Sequence, residues 1–445
     1  MTTPEAGTYR IAGGHVLRPD MSVERADVVV DREAGLIEAI GNPSEDDLPD
    51  ADATLDAEDC LVMPGLVNAH THVAMTLLRG YADDKPLDAW LQEDIWPVEG
   101  VLEPADVRAG ARLGVLEMIQ SGTTAFADMY FHVGQVADVV AEAGLRARLG
   151  HGVVTVGKDD EAARADFQES LDVARDLDGA ADGRVRTAVM PHSLTTVDAD
   201  LLAEYVAEAR EAGVPVHLHA NETRDEVEPI VEAHDQRPLA YAREHGLLDG
   251  DAGDFLAHGV HLDESEVDLL AETGTGVVHC PASNMKLASG MAPVQDLLDA
   301  GVPLALGTDG AASNNDLSMF DELRDAAMLG KLAADDASAV PAEAAVEMAT
   351  AGGADVLGLP GGRVEPGAAA DLAVVDLDAA HLTPRHDLVS HLSYAASASD
   401  VCHTVCDGRV LMRDREVLTL DADATKREAE RRAREAVERA TGDGD

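Results

Sequence analysis

The stretch Val62-Met63-Pro64-Gly65-Leu66-Val67-Asn68-Ala69-His70-Thr71-His72 decides how the rest of the chain is read. An apolar run with a Pro-Gly break ends in two histidines two positions apart. On a β-strand, residues i and i+2 share a face, so both imidazoles can converge on one point. Two ligands of a tetrahedral metal must do the same. Thr71 between them faces the other way. The pair is weak evidence by itself in a chain with 17 histidines, because two hydrogen-bonded core histidines give the same pattern. Further ligands must follow downstream in the right order.

Outward from this stretch the chain alternates. Apolar, β-rich runs recur at 61–72, 123–130, 146–154, 185–192, 214–221, 255–262, 276–282 and 303–309. Segments with helical spacing lie between them, among them Ala105 to Ile119, Asp198 to Ala212 and Ser318 to Leu332. Strands alternating with helices predict an α/β protein, a (β/α)8 TIM barrel with its site at the C-terminal strand ends. The chain ends read differently. Tyr9-Arg10-Ile11-Ala12, Val28-Val29-Val30 and Leu36-Ile37-Glu38-Ala39-Ile40 are short strand candidates punctuated by Gly13-Gly14 and Gly35. The same texture returns in 371–376 and 405–410. We expect one small β-sandwich domain built from both ends: 1–60 supplies its N-terminal part, 61–355 the metal-dependent barrel, and 356–445 its C-terminal part. The tail from Ala424 to Ala440 should be a solvated helix with no chemistry of its own.

Composition narrows the function. Asp+Glu number 85 against 33 Lys+Arg, a net charge of -52, and only five residues are lysines. The acid is spread along the chain, so it does not form a discrete interaction tail. An acidic, lysine-poor surface on an otherwise ordinary globular composition reads as a halophile adaptation, in preference to a polycation-binding role. A field of this sign repels phosphates, which argues against nucleic acid as a partner. Cys60, Cys280, Cys402 and Cys406 form no paired zinc spacing and no disulfide framework, as suits core residues in a reducing cytosol. The start Met1-Thr2-Thr3-Pro4-Glu5 has no signal-peptide pattern, and no apolar stretch approaches the ~20 residues of a membrane span. The expected location is cytoplasmic, without membrane association; a homo-oligomer is compatible with the sequence.

The strand ends then offer a constellation. The first run ends in His70 and His72, the fifth holds His217 and His219 before Glu222, the sixth holds His258 and His261, and the eighth ends in Asp309. Three imidazoles and a carboxylate can hold one Zn²⁺ or similar divalent ion with room for water. His217 and His219 share a strand face, so either could be the third ligand. We take His219, the nearer to the strand's C-terminal end. His258 is placed to orient a water or a substrate group, while His261 and His279 read as structural. The fourth run contains no lysine that could bridge two metals, so one ion per chain is expected.

The full set resembles the amidohydrolase superfamily, and within it the 5-methylthioadenosine/S-adenosylhomocysteine deaminases and their chlorohydrolase-like relatives. The matching stretches are 64–72, His219 to Thr223, His279-Cys280-Pro281-Ala282-Ser283-Asn284-Met285-Lys286-Leu287, and Gly307-Thr308-Asp309-Gly310-Ala311-Ala312-Ser313-Asn314-Asn315. The resemblance implies that His70, His72, His219 and Asp309 are the metal ligands. It makes Glu222 the proton shuttle, Glu99, His192 and Ser313 substrate contacts, and Trp90 a wall of the pocket. Glu222 and Asp309 would then touch the substrate as well as act in catalysis with His258. One departure stands out. His151 lies near the position where such deaminases tend to carry an Arg for the distal end of the substrate, with Arg164 as a looser substitute. On this basis 5′-methylthioadenosine should be a better substrate than S-adenosylhomocysteine.

By the same resemblance, the reaction expected is hydrolytic deamination of an adenosine-type thioether nucleoside by a metal-bound hydroxide, giving the inosine analogue and ammonia. A guanine- or cytosine-type deaminase, or a triazine chlorohydrolase-like hydrolase, would use the same hydroxide. A barrel kept only as an interaction scaffold need not retain the ligands, yet every one is present.

Overall fold

The computed structural model describes residues 7–442. The segment Met1-Thr2-Thr3-Pro4-Glu5, where no signal peptide was expected, lies outside them, as do the first and last few residues of the two chain-end units.

Parallel strands carry the middle of the chain. Leu66–Thr71, Thr123–Tyr130, Arg146–Val153 and Val185–Thr187 form one sheet, with Met190–Pro191 also paired to Arg146–Val153. His217–Ala220, Phe255–His258, Gly276–His279 and Leu304–Leu306 form a second. Parallel bridges Val189 to Val216 and Ser193 to His219 join the two sheets. At the other edge Asp309 N–H donates to His70 O at 3.0 Å, so the last strand returns to the first. Every residue of Thr123–Tyr130 and Arg146–Val153 is buried, as expected of strands covered on both faces. The covering helices begin where their caps dictate. Asp198 accepts from Asp200 N–H and Leu201 N–H to start Ala199–Ala212, and Gly213 at φ 67° ends it.

Two further sheets flank this body. A four-stranded sheet runs Leu36–Gly41, Asp27–Asp31, Thr8–Ala12, Ala53–Asp56. A seven-stranded sheet runs Glu416–Val417, Arg409–Arg413, Val401–Cys406, Leu372–Asp376, Cys60–Pro64, His15–Leu17, Val23–Arg25, drawing on both ends of the chain. Tyr9, Ile11 and Val28 of the first sheet share an apolar core with Val16, Val62 and Val374 of the second.

Three expectations need correction. The run 61–72 is not one strand: Cys60–Pro64 pairs antiparallel with Leu372–Asp376, and only Leu66–Thr71 joins the parallel set. Continuous apolarity cannot reveal such a change of partner. Gly65 permits it, because a Cβ there would lie 2.2 Å from Thr124 Oγ1. The run 185–192 is likewise broken between Thr187 and Met190. The terminal helix, Ala422–Thr441, is not merely solvated. Its Arg432 and Arg439 both reach Asp106, fully buried in the helix Pro104–Gln120. Among the described residues no helix is long and apolar enough to cross a membrane.

Candidate metal centre and active site

Hydrogen bonds behind the histidines fix which nitrogen each presents. His72 Nδ1 lies 2.7 Å from Met129 O and His219 Nδ1 2.7 Å from His192 O. A carbonyl only accepts, so each Nδ1 carries a proton and each Nε2 is the atom left to face the site. His70 is fixed through a relay. His217 Nδ1 donates to Phe255 O at 3.0 Å, leaving its Nε2 to accept from His70 Nδ1 at 2.9 Å. His70 Nε2 is then a buried lone pair with no hydrogen-bond partner. The His72 and His219 Nε2 atoms are 3.4 Å apart. Asp309 Oδ1 lies 3.5 Å from His70 Nε2 and 3.2 Å from His72 Nε2. One ligand atom from each of these four residues falls within 4.8 Å of all the others. Three imidazole Nε2 atoms and a carboxylate oxygen turned to one point are the donor set of a tetrahedral divalent ion, which would take the place of the proton held between His72 and Asp309. His217 stands outside the group and meets His70 from behind, so of the two histidines on this strand the group contains His219.

Asp309 is held from its other side. Ser283 and Ser313 each donate a hydroxyl to its Oδ2 at 2.7 Å. Ser313 thus lines the pocket with its hydroxyl already engaged. Although burial raises a carboxyl's pKa, the His70 and His72 imidazoles beside it hold Asp309 well below the usual carboxylate range. His72 is the counterpart: burial lowers it, but Asp309 more than reverses this and lifts it to about 9. A cation arriving at neutral pH therefore displaces a proton there. Burial pulls His219 well down and His70 down to about 4, as neutral ligands require. Asn221, His258 and Asp309 have φ of 54°, 74° and 59°. Such left-handed backbone costs non-glycine residues on the order of 1 kcal/mol or more each, and it clusters where function demands a geometry.

Above the four ligand atoms lies a pocket enclosing about 710 Å³ of empty space, part of it open to solvent. Trp90, Glu99, His192, Glu222, His258 and Ser313 all line it. Glu222 is buried, and burial raises its carboxyl pKa, so it can carry a proton. His258 Nδ1 meets Asn284 Oδ1 at 3.0 Å, and its Nε2 points to Glu222 Oε2 at 3.7 Å. Glu99 accepts from the Tyr130 hydroxyl at 2.7 Å. Burial pushes the Glu99 carboxyl up to about 7 even though that hydrogen bond lowers it and part of the side chain meets solvent. Trp90 is anchored by its indole N–H on Ala82 O.

Neither His151 nor Arg164 lines this pocket. Arg164 is on the surface, paired with Glu204 and Asp160. His151 binds Asp166 at 3.0 Å. Sequence reasoning missed Tyr130, Trp96 and Ser283. Tyr130 closes the strand Thr123–Tyr130, so its place at a C-terminal strand end was a usable signal. Ser283 offered none, because its reach to Asp309 spans two strands.

Comparison with known proteins agrees with this geometry. Residues 61–411 match the sequence model of the amidohydrolase family. A 5-methylthioadenosine/S-adenosylhomocysteine deaminase from Haloarcula marismortui is 69% identical over 430 residues, covering 97% of this chain and 98% of the relative. A protein of the same name from Natronomonas pharaonis is 67% identical, covering 98% and 100%. Among solved structures, an adenosine deaminase from Xanthomonas campestris with bound zinc superposes with a TM-score of 0.90 at 39% identity, over 98% of this chain and 99% of that one.

Proposed function

The chain belongs to the amidohydrolase family, and from that premise we propose that it is a metal-dependent aminohydrolase that deaminates adenosine-type thioether nucleosides. The substrate class is 5′-methylthioadenosine and S-adenosylhomocysteine, named for its relatives at 69% and 67% identity. The observation that carries the reading is the convergence of His70, His72, His219 and Asp309 directly beneath a pocket that also holds Glu222 and Glu99. We assign these four as the ligands of one divalent ion, zinc by preference, since imidazole and carboxylate donors in this number suit it.

When bound there, such an ion supplies Lewis-acid activation of a water at neutral pH. The chain's own groups do the rest. Asp309, kept ionised by its histidine neighbours, takes the proton that the water loses. Glu222, whose carboxyl burial shifts upward, gives a proton to the purine ring nitrogen as oxygen adds to the amino-bearing carbon. His258, oriented by Asn284, holds Glu222 in line. The proton held by Asp309 passes to the amine, the C–N bond breaks as the added hydroxyl returns its proton to Glu222, and ammonia leaves with the inosine analogue. Positioned proton transfer of this kind contributes typically ~10²–10⁴-fold. Glu99 accepts from the ribose hydroxyls, Trp90 walls the nucleoside, and His192 meets it from the strand end; Ser313 acts by fixing Asp309.

We read the parallel body, 61–355, as a (β/α)8 barrel, and 1–60 with 356–445 as one small β-sandwich domain plus terminal helix. We read the charge of -52 as adaptation to high salt in the cytoplasm. The test is ammonia release in molar KCl from 5′-methylthioadenosine, S-adenosylhomocysteine, guanine, cytosine and a chlorotriazine, with chloride release measured alongside. The two nucleosides should lead. Guanine, cytosine or the triazine outrunning both would transfer the function to the other branches of the family.

A further inference from the structure

The wall that brings Trp90, Trp96 and Glu99 to the pocket joins the helix Pro104–Gln120 through a turn of four residues, 100–103. Val101 N–H and Leu102 N–H donate back to Val98 O and Glu99 O, both at 3.1 Å, so the turn is continuous with the Glu99 backbone. At its far end Asp106 accepts from Glu103 N–H at 2.9 Å, half of the capping box that starts the long helix. The terminal helix Ala422–Thr441 reaches both ends of this turn with one side chain. Arg439 Nε donates to Val101 O at 3.4 Å, and its Nη2 donates to the same Asp106 Oδ2 that caps Glu103. Arg432 differs: it donates to the other oxygen, Asp106 Oδ1, at 3.2 Å and to Glu428, and among the described residues it makes no hydrogen bond to the turn. The terminal helix also packs on Trp96–Glu99 itself, and Ala436, Val98 and Val107 belong to one apolar core. The chain has only 33 basic residues; six lie on these 20 positions, and two of the six are spent on one buried carboxylate.

We propose that Arg439 is a positioning residue for the ribose of the substrate: by pinning both ends of the turn 100–103 it sets the helix Trp96–Glu99, and with it the Glu99 carboxylate. The inference rests on the deaminase reading above. It gives the terminal helix, whose sequence promised no chemistry, a part in substrate selection. Tyr130 orients the Glu99 carboxylate from the barrel side but does not hold the backbone that carries it. Hydrogen bonds weaken steeply once their geometry is lost, so a wall that drifts costs ribose binding before it costs the proton transfers at Glu222.

The experiment measures kcat and KM for 5′-methylthioadenosine and for its 2′-deoxy counterpart in the wild type and in Arg439→Met, Arg439→Lys and Arg432→Met. One KCl concentration is used throughout, because salt screens accessible ion pairs. Metal content and melting temperature are read on each protein. Each Met variant leaves the other arginine on Asp106, so the buried carboxylate stays paired. In Arg439→Met, KM for 5′-methylthioadenosine should rise about tenfold with kcat nearly kept, roughly the worth of one hydrogen bond to a charged group. KM for the 2′-deoxy compound should rise less, so the preference for the full ribose shrinks. Arg439→Lys, which keeps the charge, should restore part of that preference. Arg432→Met should lower the melting temperature without moving it. An unchanged preference in Arg439→Met overturns the proposal, as does a shift of equal size in Arg432→Met, because the helix then acts through general stability alone. Trp90 and Trp96 are the chain's two tryptophans and both lie in this wall, so acrylamide quenching of their fluorescence reads the pin without turnover. Quenching should rise in Arg439→Met and not in Arg432→Met; no rise in Arg439→Met also overturns the proposal. A wild type that releases ammonia from neither compound overturns the deaminase reading. Quenching that still separates the two Met variants then leaves the pin standing, and quenching that does not removes it as well.

Discussion

At the carboxyl ends of the parallel strands, three imidazoles and a carboxylate face one another, and the buried His70 Nε2 has no hydrogen-bond partner. At the opposite end Arg146 is about as deeply buried, yet Asp371 holds its Nε at 2.7 Å and Asp407 its Nη2 at 2.8 Å. Beside it Arg148 gives its Nε and Nη1 to the carbonyls of Leu357 and Thr187. Both ends bury charge, which costs several kcal/mol per ion unless it is compensated. One end closes that account within the chain, because Asp371 and Asp407 flank the strands Leu372–Asp376 and Val401–Cys406 of the sheet built from the chain ends and tie it to the parallel body. The other end leaves a lone pair unspent at His70 Nε2 and holds His258 and Asp309 in left-handed backbone. An end that is closed serves stability; an end left open is ready for a cation and a substrate.

The sharpest way to break this contrast is to change one end and read both properties. Glu222→Gln keeps shape but carries no proton to give, so kcat should drop ~10²–10⁴-fold with metal content and melting temperature retained. His219→Ala should instead lose the metal. If both variants only weaken metal binding, the division between ligand and shuttle is wrong.

Arg146→Ala makes the mirror test. It strands Asp371, which is 1% exposed, as an unpaired buried charge, and should cost ~3–5 kcal/mol in denaturant unfolding while the folded variant still binds one metal per chain. A variant that keeps full stability, or loses metal when folded, would deny that the two ends are separate devices.

Much of this division was legible in the sequence, and the exceptions have physical reasons. His70, His72, His219 and Asp309 stood out because strand periodicity puts each at a C-terminal end, and the structure brings the four together. The choice between His217 and His219 turned on depth along a strand, which period two cannot give; in the structure His217 is engaged by Phe255 O and His70, and His219 is the one that joins the group. The split of 61–72 was hidden because strands in both sheets are apolar on both faces, so the hydrophobic pattern does not change at Gly65.

A smaller effect concerns the exterior, where charge is neither closed nor aimed. Between low and molar KCl the melting temperature should rise as counterions screen the repulsion of a chain at -52. The gap between wild type and Arg146→Ala should persist at both salts, since a buried pair is screened much less. A flat salt response would favour a polycationic partner for this surface.

The least effect expected is a pH dependence at Glu99. Burial raises its carboxyl from 4.5 to about 7, so the folded protein holds this proton more tightly than the unfolded chain. Its contribution to stability is complete below 4.5 and is lost as pH rises through 7. The carboxylate is the better acceptor for ribose hydroxyls, so KM for 5′-methylthioadenosine should fall as pH rises through that value. Glu99→Gln should show a higher and flatter KM across the same range. A wild-type KM that does not move would separate Glu99 from the ribose.

The most direct test of the whole account is ammonia release from 5′-methylthioadenosine on one preparation before chelation, after complete metal removal, and after zinc is restored, with metal content measured on each sample. We predict one divalent ion per chain in the active protein, no turnover without it, and recovery in proportion to the zinc taken up. Turnover that survives complete metal removal would contradict the account.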